Sequence, residues 1–267
     1  MTIMENRADW LLQIVNAALE AGKEILQVYS SSFSVESKED KSPLTEADKR
    51  AHAVIAKALE RTKIPILSEE GILPEFEERK NWKQFWMVDP LDGTKEFVNR
   101  NGEFTVNIAL IENGKPTMGV IYIPITKEIF FADDLAYKID TFSEPVTSLS
   151  QLLKKAIQLP LKQNRKDYVI LGSRSHMNQE TKDFINILKE KHNDVTLLSK
   201  GSSLKFCVIA EGNADSYPRF GPTMEWDTAA GHAIVNATGA EVINMETNNP
   251  LCYNKKNLLN PPFLVKR

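Results

Sequence analysis

Residues 85–94 read Phe85-Trp86-Met87-Val88-Asp89-Pro90-Leu91-Asp92-Gly93-Thr94, an apolar run followed at once by two carboxylates and a hydroxyl. The run has the composition of a buried strand, which puts Asp89 and Asp92 at its end. An ionised carboxylate taken out of water without a partner costs several kcal/mol. Two of them at the mouth of a core strand therefore call for a compensating cation, and a hard divalent metal is the expected one. Pro90 lacks an amide hydrogen and Gly93 permits a tight turn, so the acids can fold back toward a common point with the Leu91 carbonyl available as a further ligand. Taken alone, the Asp-Gly dipeptide reads more readily as an ordinary loop turn.

The chain around it has 267 residues, 42% of them hydrophobic, enough for one large domain or two lobes sharing an interface. A formal net charge of −3 provides no broad basic footprint for nucleic acid or an anionic membrane. Residues 1–9 lack a basic-then-apolar signal pattern, and no stretch reaches the roughly 18 uninterrupted apolar residues of a spanning helix. A cytoplasmic protein with no integral membrane segment is expected. Cys207 and Cys252 lie far apart in apolar surroundings, as expected of two reduced, buried thiols. His52, His176, His192 and His232 show no zinc-binding spacing, so any metal chemistry falls to the acids. No internal repeat and no Walker-type or dinucleotide-type glycine pattern is present.

Apolar residues at helical spacing predict an amphipathic helix from Ala8 to Tyr29 and a second from Thr45 to about Arg61, the latter opening with a capping-box pattern, Thr45-Glu46-Ala47-Asp48. The charged stretch from Ser34 to Pro43 reads as a mobile loop between them. Strands are expected at 64–68, 85–89, 105–111, 118–123 and 127–132, with Asn113-Gly114 supplying a type I′ hairpin turn. The first lobe is thus helices packed on a largely antiparallel sheet. Beyond about Asp140 the pattern alternates: strands at 168–171, 195–198 and 214–217, helices at 179–191, 203–210 and 228–237, then strands at 241–244, 251–253 and 263–266. The expected fold class is α/β, an α+β lobe over 1–138 and a layered α/β lobe over 139–267, the boundary near Asp133–Ser143.

Acids recur where apolar strands end or helices begin: Asp48, Glu69 with Glu70, Asp89 with Asp92, and Asp227. Each has an ordinary alternative, Asp48 as part of a capping box, Glu69 and Glu70 as a solvated loop entry, and Asp227 as the N-cap of a helix starting at Thr228. Two carboxylates about 5 Å apart repel by roughly 3 kcal/mol at an effective dielectric near 20, so four together strain a fold unless cations reverse the sign. Oxygen-only ligands favour Mg2+, with Mn2+ as a substitute, over zinc.

The segments SPLTEAD, LSEE, MVDPLDGTKEF, GSSLKF, YPRFGPT and EWDTAAG follow one another as they do in the lithium-sensitive inositol monophosphatase and bisphosphate-nucleotidase superfamily, which the chain resembles from its first helix to its last strand. Within it, DPLDGTKEF followed by NRNGEFTVNIALIENGKPTMGVIYIP resembles the bacterial 3′(2′),5′-bisphosphate nucleotidases. The resemblance implies a layered αβαβα sandwich of the inositol monophosphatase type, with a site holding two or three Mg2+ ions between the lobes. By position it assigns Glu69, Asp89, the Leu91 carbonyl, Asp92 and Asp227 to the metals, and Asp48 with Thr94 to orienting and deprotonating the attacking water. It implies removal of the 3′-phosphate from adenosine 3′,5′-bisphosphate, and from 3′-phosphoadenylyl sulfate, with inhibition by Li+ and a setting in sulfur metabolism. Some relatives associate peripherally with the inner membrane.

For the rest of the substrate, Gly93, Thr94, Lys95, Ser173, His176, Ser202, Lys205 and Arg219 are the candidates. The Gly201-Ser202-Ser203 segment opens a helix and offers amide and hydroxyl donors to an anion, Lys205 an ammonium, and Arg219 a bidentate guanidinium for the phosphate that is not cleaved. Ser173 and His176 are candidates to face the nucleoside, His176 being equally readable as a surface loop residue. The rival activities are an inositol or sugar phosphate phosphatase on the same scaffold and a non-catalytic phospholigand sensor. The expected partner is a small phosphorylated nucleotide, bound by a monomer or homodimer.

Overall fold

The computed structural model describes residues 3–30, 35–37, 43–173 and 178–267. Two long helices open the chain, α1 (Ile3–Tyr29) and α2 (Glu46–Leu59), with a short antiparallel pair between them, β1 (Val35–Ser37) and β2 (Pro43–Thr45). The remainder of the stretch read as a mobile loop lies outside the described residues. Then follow β3 (Ile66–Ser68), α3 (Phe76–Arg79), β4 (Gln84–Asp92), α4 (Thr94–Val98), β5 (Thr105–Glu112), β6 (Lys115–Ile123), β7 (Glu128–Ala132), β8 (Ala136–Ile139), α5 (Leu149–Lys155) and β9 (Ile157–Gln158). These strands form one seven-stranded sheet in chain order, antiparallel throughout except for the parallel β3–β4 pair. At the β5–β6 hairpin Asn113 and Gly114 both take positive φ, 51° and 75°, as a type I′ turn demands.

The boundary expected at 138/139 falls inside β8. Strands β8 and β9 carry the first sheet on to Gln158, and Phe142, Val146 and Leu152 join its core, so the change of sheet comes after Gln158 rather than near Asp133–Ser143. The second sheet contains β10 (Tyr168–Ser173), β11 (Val195–Lys200), β12 (Ser216–Arg219), β13 (Glu241–Asn244) and β14 (Phe263–Lys266) in the order β11-β10-β12-β14-β13. Its helices are α6 (Gln179–Lys191), α7 (Leu204–Glu211) and α8 (Glu225–Asn236).

Period-two alternation explains the layering. On β4, Trp86 and Val88 face a core built with α1 and α2, while Phe85 and Met87 face one built with α7, α8 and the second sheet. Helix α6 packs on the far side of the second sheet through buried Ile185 and the edge-to-face pair Phe184–Phe220. The result is an αβαβα stack. Small residues let α8 lie close in its middle layer: a Cβ on Gly119 of β6 would come 2.6 Å from the Ala230 carbonyl oxygen, and one on Gly231 would come 2.2 Å from Phe206.

Two further expectations change. Residues 251–253 form no strand; Leu251 and Tyr253 are buried and Cys252 exposed, which imitates strand alternation, but the Leu251 amide donates to Val242 and the Tyr253 amide to Gly114, so the segment is strapped to two different elements. The same alternation turns Cys252 outward, leaving Cys207 as the buried thiol of the two free cysteines. No helix of the described residues is long and apolar enough to cross a membrane.

Candidate active site

Strand β4 does not stop at Asp89. It continues to Asp92 through a bulge: Asp89 pairs with Asn107 and Asp92 with Thr105, so β4 spends one residue more than β5 over that interval. In an unbroken strand, residues three apart face opposite sides. The extra residue restores the phase and brings both carboxylates to one side. The expected turn comes later, at Gly93, whose φ of 91° and close approach to the Glu103 carbonyl oxygen exclude a side chain. Thr94 then opens α4, its hydroxyl donating to the Leu91 carbonyl at 3.4 Å.

The other acids arrive from neighbouring elements. The Glu69 amide donates to the Val88 carbonyl, prolonging β3 beside β4 and carrying Glu69 to the Asp89 end. Helix α8 begins at Glu225, three residues earlier than expected, so Asp227 is not its N-cap but sits in its first turn, with Oδ2 accepting the Met224 amide at 2.8 Å. That turn is fixed from behind by Glu225, which is fully buried and accepts from the amides of Asn254 and Lys255 and from the Lys255 ammonium at 2.6 Å. One carboxylate oxygen each from Asp89, Asp92 and Asp227 lies within 4.8 Å of the others.

Burial holds the Asp89 carboxyl well above the usual carboxylate range, and the charges of Glu69, Asp92, Asp227 and Asp48 push it further. Asp227 is raised for the same reasons, burial first, then Asp92 and Glu69. Packed carboxylates that resist ionisation together, offering only oxygen, fit a hard divalent cation. Asp48, in the first turn of α2 and 1% exposed, acts on this cluster by its charge and is not part of the pocket wall.

The pocket above the acids has a volume of about 250 Å³, and its wall includes Glu69, Asp89, Leu91, Asp92, Gly93, Thr94, Lys95, Ser202, Lys205, Arg219 and Asp227. The donors expected for a substrate anion at 201–203 point elsewhere. The Gly201 amide donates to Glu103 at 2.8 Å, and the Ser202 hydroxyl, Ser203 amide and Ser203 hydroxyl all donate to Asp92 Oδ2 at 2.6–2.7 Å. This segment therefore holds protein carboxylates, and Ser202 reaches the pocket only as part of its wall. Lys205, 5% exposed, donates to the carbonyls of Lys200 and Ser202 and lies 5.3 Å from the Tyr217 ring centroid; burial pulls its ammonium down to about 8. Arg219 is braced by the Gly221 and Pro222 carbonyls, and Lys95 stands exposed at the rim. The Ser173 side chain and His176 lie outside the described residues.

The sequence reading missed Asn107, Thr105 and Glu103, which tie β5 and the loop before it to this site, and Thr223, Tyr217 and Thr228 in the wall. A signal for the first two exists: Thr105 and Asn107 are polar residues two apart in an otherwise apolar strand, hence on one face.

An αβαβα stack with aspartates converging at the seam between its sheets, beneath an anion-sized pocket, has the form of a metal-dependent phosphatase. The chain belongs to the inositol monophosphatase family, whose sequence profile matches residues 7–265. It is 45% identical over 260 residues to the 3′(2′),5′-bisphosphate nucleotidase CysQ of Salmonella typhimurium (strain LT2), an alignment covering 96% of this chain and 98% of that one. The crystal structure of CysQ from Bacteroides thetaiotaomicron, a bacterial member of the same family, superposes with a TM-score of 0.89 at 48% identity over 97% of both chains. An IMPase from Thermotoga maritima shares the fold at 21% identity, with a TM-score of 0.71 over 97% of this chain and 91% of that one.

Proposed function

We propose that the protein is a Mg2+-dependent 3′(2′),5′-bisphosphate nucleotidase that hydrolyses adenosine 3′,5′-bisphosphate to AMP and phosphate, and acts likewise on 3′-phosphoadenylyl sulfate. The observation that carries this reading is the convergence of Asp89, Asp92 and Asp227 beneath a pocket whose wall also contains Lys205 and Arg219. The near full-length similarity to curated bisphosphate nucleotidases supports the choice of substrate.

Glu69, Asp89, the Leu91 carbonyl, Asp92 and Asp227 would hold two or three Mg2+ ions, or Mn2+ in their place, which when bound neutralise phosphoryl oxygens and ease deprotonation of water. The chain supplies the rest. Thr94 is an alcohol whose bond to Leu91 is long at 3.4 Å, which leaves its hydroxyl able to turn toward a water. It receives the water proton and passes one to Asp48 as the water oxygen adds to phosphorus and the bond from phosphorus to O3′ breaks; the departing O3′ is protonated from solvent. Arg219, braced on backbone carbonyls, and Lys205 take the 5′-phosphate. Li+, similar in size to Mg2+ but of half the charge, would occupy a site without supporting the reaction. The cellular role proposed is clearance of a by-product of sulfate activation in the cytoplasm.

Incubation with adenosine 3′,5′-bisphosphate and Mg2+ should yield AMP and phosphate in equal amounts, and nothing when a chelator replaces the metal. Adenosine 3′-phosphate as the product, or release that survives chelation, contradicts the proposal.

A further inference from the structure

Asn107 is the third residue of β5, between the fully buried Val106 and Ile108, and is itself 1% exposed. A buried primary amide costs about 1–3 kcal/mol wherever it lacks partners, so its two ends need distinct ones. They have them. Thr105, two residues earlier on the same face, donates its hydroxyl to Asn107 Oδ1 at 3.0 Å, and Asn107 Nδ2 donates to Ser203 Oγ at 2.9 Å. Either hydroxyl could serve either end of the amide, and Thr105 Oγ1 also stands 2.9 Å from Ser202 Oγ; what sets the orientation is Asp92 Oδ2, 3.5 Å from Nδ2, beside which an amide oxygen would be repelled.

That orientation propagates. Ser203 Oγ accepts from Asn107, so its single hydrogen must be given onward. The acceptors in reach are Asp92 Oδ2 at 2.7 Å and the Asp227 carbonyl at 3.0 Å; the shorter, charge-assisted bond to Asp92 wins. Asp92 Oδ2 also accepts the Ser202 hydroxyl and the Ser203 amide, each at 2.6 Å. Asn107 Nδ2 reaches the same oxygen at only 3.5 Å, at the limit of a hydrogen bond. Three short donors on one oxygen prevent rotation of the carboxylate and leave Oδ1 to face the cluster. Among the described residues nothing comparable holds Asp89, whose Oδ1 accepts from the Leu91 amide of its own bulge at 3.1 Å.

We infer that Asn107 is a positioning residue for Asp92, acting through Ser203: it sets the direction of the Ser203 hydroxyl so that Asp92 presents one fixed oxygen to the cation. The inference rests on Asp89, Asp92 and Asp227 being cation ligands, and not on which phosphate ester is cleaved.

The test is direct Mn2+ binding, read as the loss of free-ion paramagnetic resonance signal, for the parent, Asn107→Leu, Ser203→Ala and the double variant, with melting temperatures in chelator to establish that each is folded. Outer partners of metal ligands typically govern affinity by about 10–100-fold. Asn107→Leu should weaken Mn2+ binding about tenfold, and adding it to Ser203→Ala should weaken binding by less than about twofold more. Binding by Asn107→Leu within about twofold of the parent, or two effects that multiply, overturns the inference. Should the leucine variant not fold, Thr105→Val replaces it: the amide loses its anchor, and Mn2+ binding must weaken by about threefold or more for the inference to stand. A parent that binds no Mn2+ at all overturns the ligand assignment itself, a failure separate from that of the Asn107 relay.

Discussion

Asp89 and Asp92 stand three residues apart on a single strand yet bring carboxylate oxygens within 4.8 Å, because the strand carries one residue more than its partner between them. A carboxylate pair at that separation repels by about 3 kcal/mol at an effective dielectric near 20. The bulge thus builds in a repulsion that only protons or cations relieve, and it links a register irregularity in the sheet to metal dependence.

The proposed division of labour, Asp48 as proton acceptor and Asp89 as metal ligand, is separable by substitution. Asp48→Asn should lower kcat by at least about 100-fold, within the usual range for a general base, while Mn2+ affinity changes little. Asp89→Asn should remove both activity and tight Mn2+ binding. Equal loss of metal affinity in the two variants would sink the separate roles.

Removal of metal has a signed effect on stability. With the proposed ligand carboxylates facing one another, chelator should lower the melting temperature of the parent and Mg2+ restore it, since an ion that binds only the folded state stabilises it by mass action. In Asp89→Asn one of the crowded charges is gone, so its melting temperature in chelator should equal or exceed the parent's, with little further gain from Mg2+. A variant that melts lower than the parent in chelator contradicts this.

The small residues of α8 are required by its neighbours. Gly231→Ala places a methyl 2.2 Å from the Phe206 ring, and the ring has no room to retreat among Tyr217 and Phe263. A loss of about 1–3 kcal/mol in urea unfolding is expected. Activity should fall with it, because Asp227 rides on the same helix.

His232 provides a pH signature that owes nothing to the acids, since burial alone shifts it. It is buried on α8 with Nδ1 2.9 Å from the Tyr253 hydroxyl, and burial pulls its imidazole down to about 3. The unfolded chain, with an ordinary histidine near 6.5, then binds more protons than the folded one between about pH 3 and 6.5. Its contribution to stability is complete above that window and is lost as pH falls through it, up to about 2 kcal/mol between pH 6.5 and 5. His232→Gln should flatten this acid limb in denaturant titrations at pH 7.5, 6.5 and 5; parallel limbs would contradict the assignment.

Much of the architecture was legible because hydrophobic period carries it. The apolar runs ending at Ser68 and Asp89, the Asn113-Gly114 turn and the helix at 179–191 all emerge near their observed places. The acids were legible as strand-end interruptions of that pattern. What escaped depends on partners distant in the chain. The bulge is a property of β4 against β5, not of either alone. The early start of α8 rests on Glu225, which looks like a surface residue until Asn254 and Lys255 cover it. The donors at 201–203 look like an anion site because their true acceptors, Glu103 and Asp92, lie about a hundred residues upstream.

The decisive comparison is kcat/KM for adenosine 3′,5′-bisphosphate against inositol 1-phosphate, measured side by side with Mg2+ and with chelator. The proposed function predicts Mg2+-dependent hydrolysis of the nucleotide at least about 100-fold faster than of the inositol ester, since a site built around a second phosphate penalises a substrate that leaves its cations unpaired. Equal rates, or a preference for inositol 1-phosphate, would keep the carboxylate site and contradict the nucleotidase assignment.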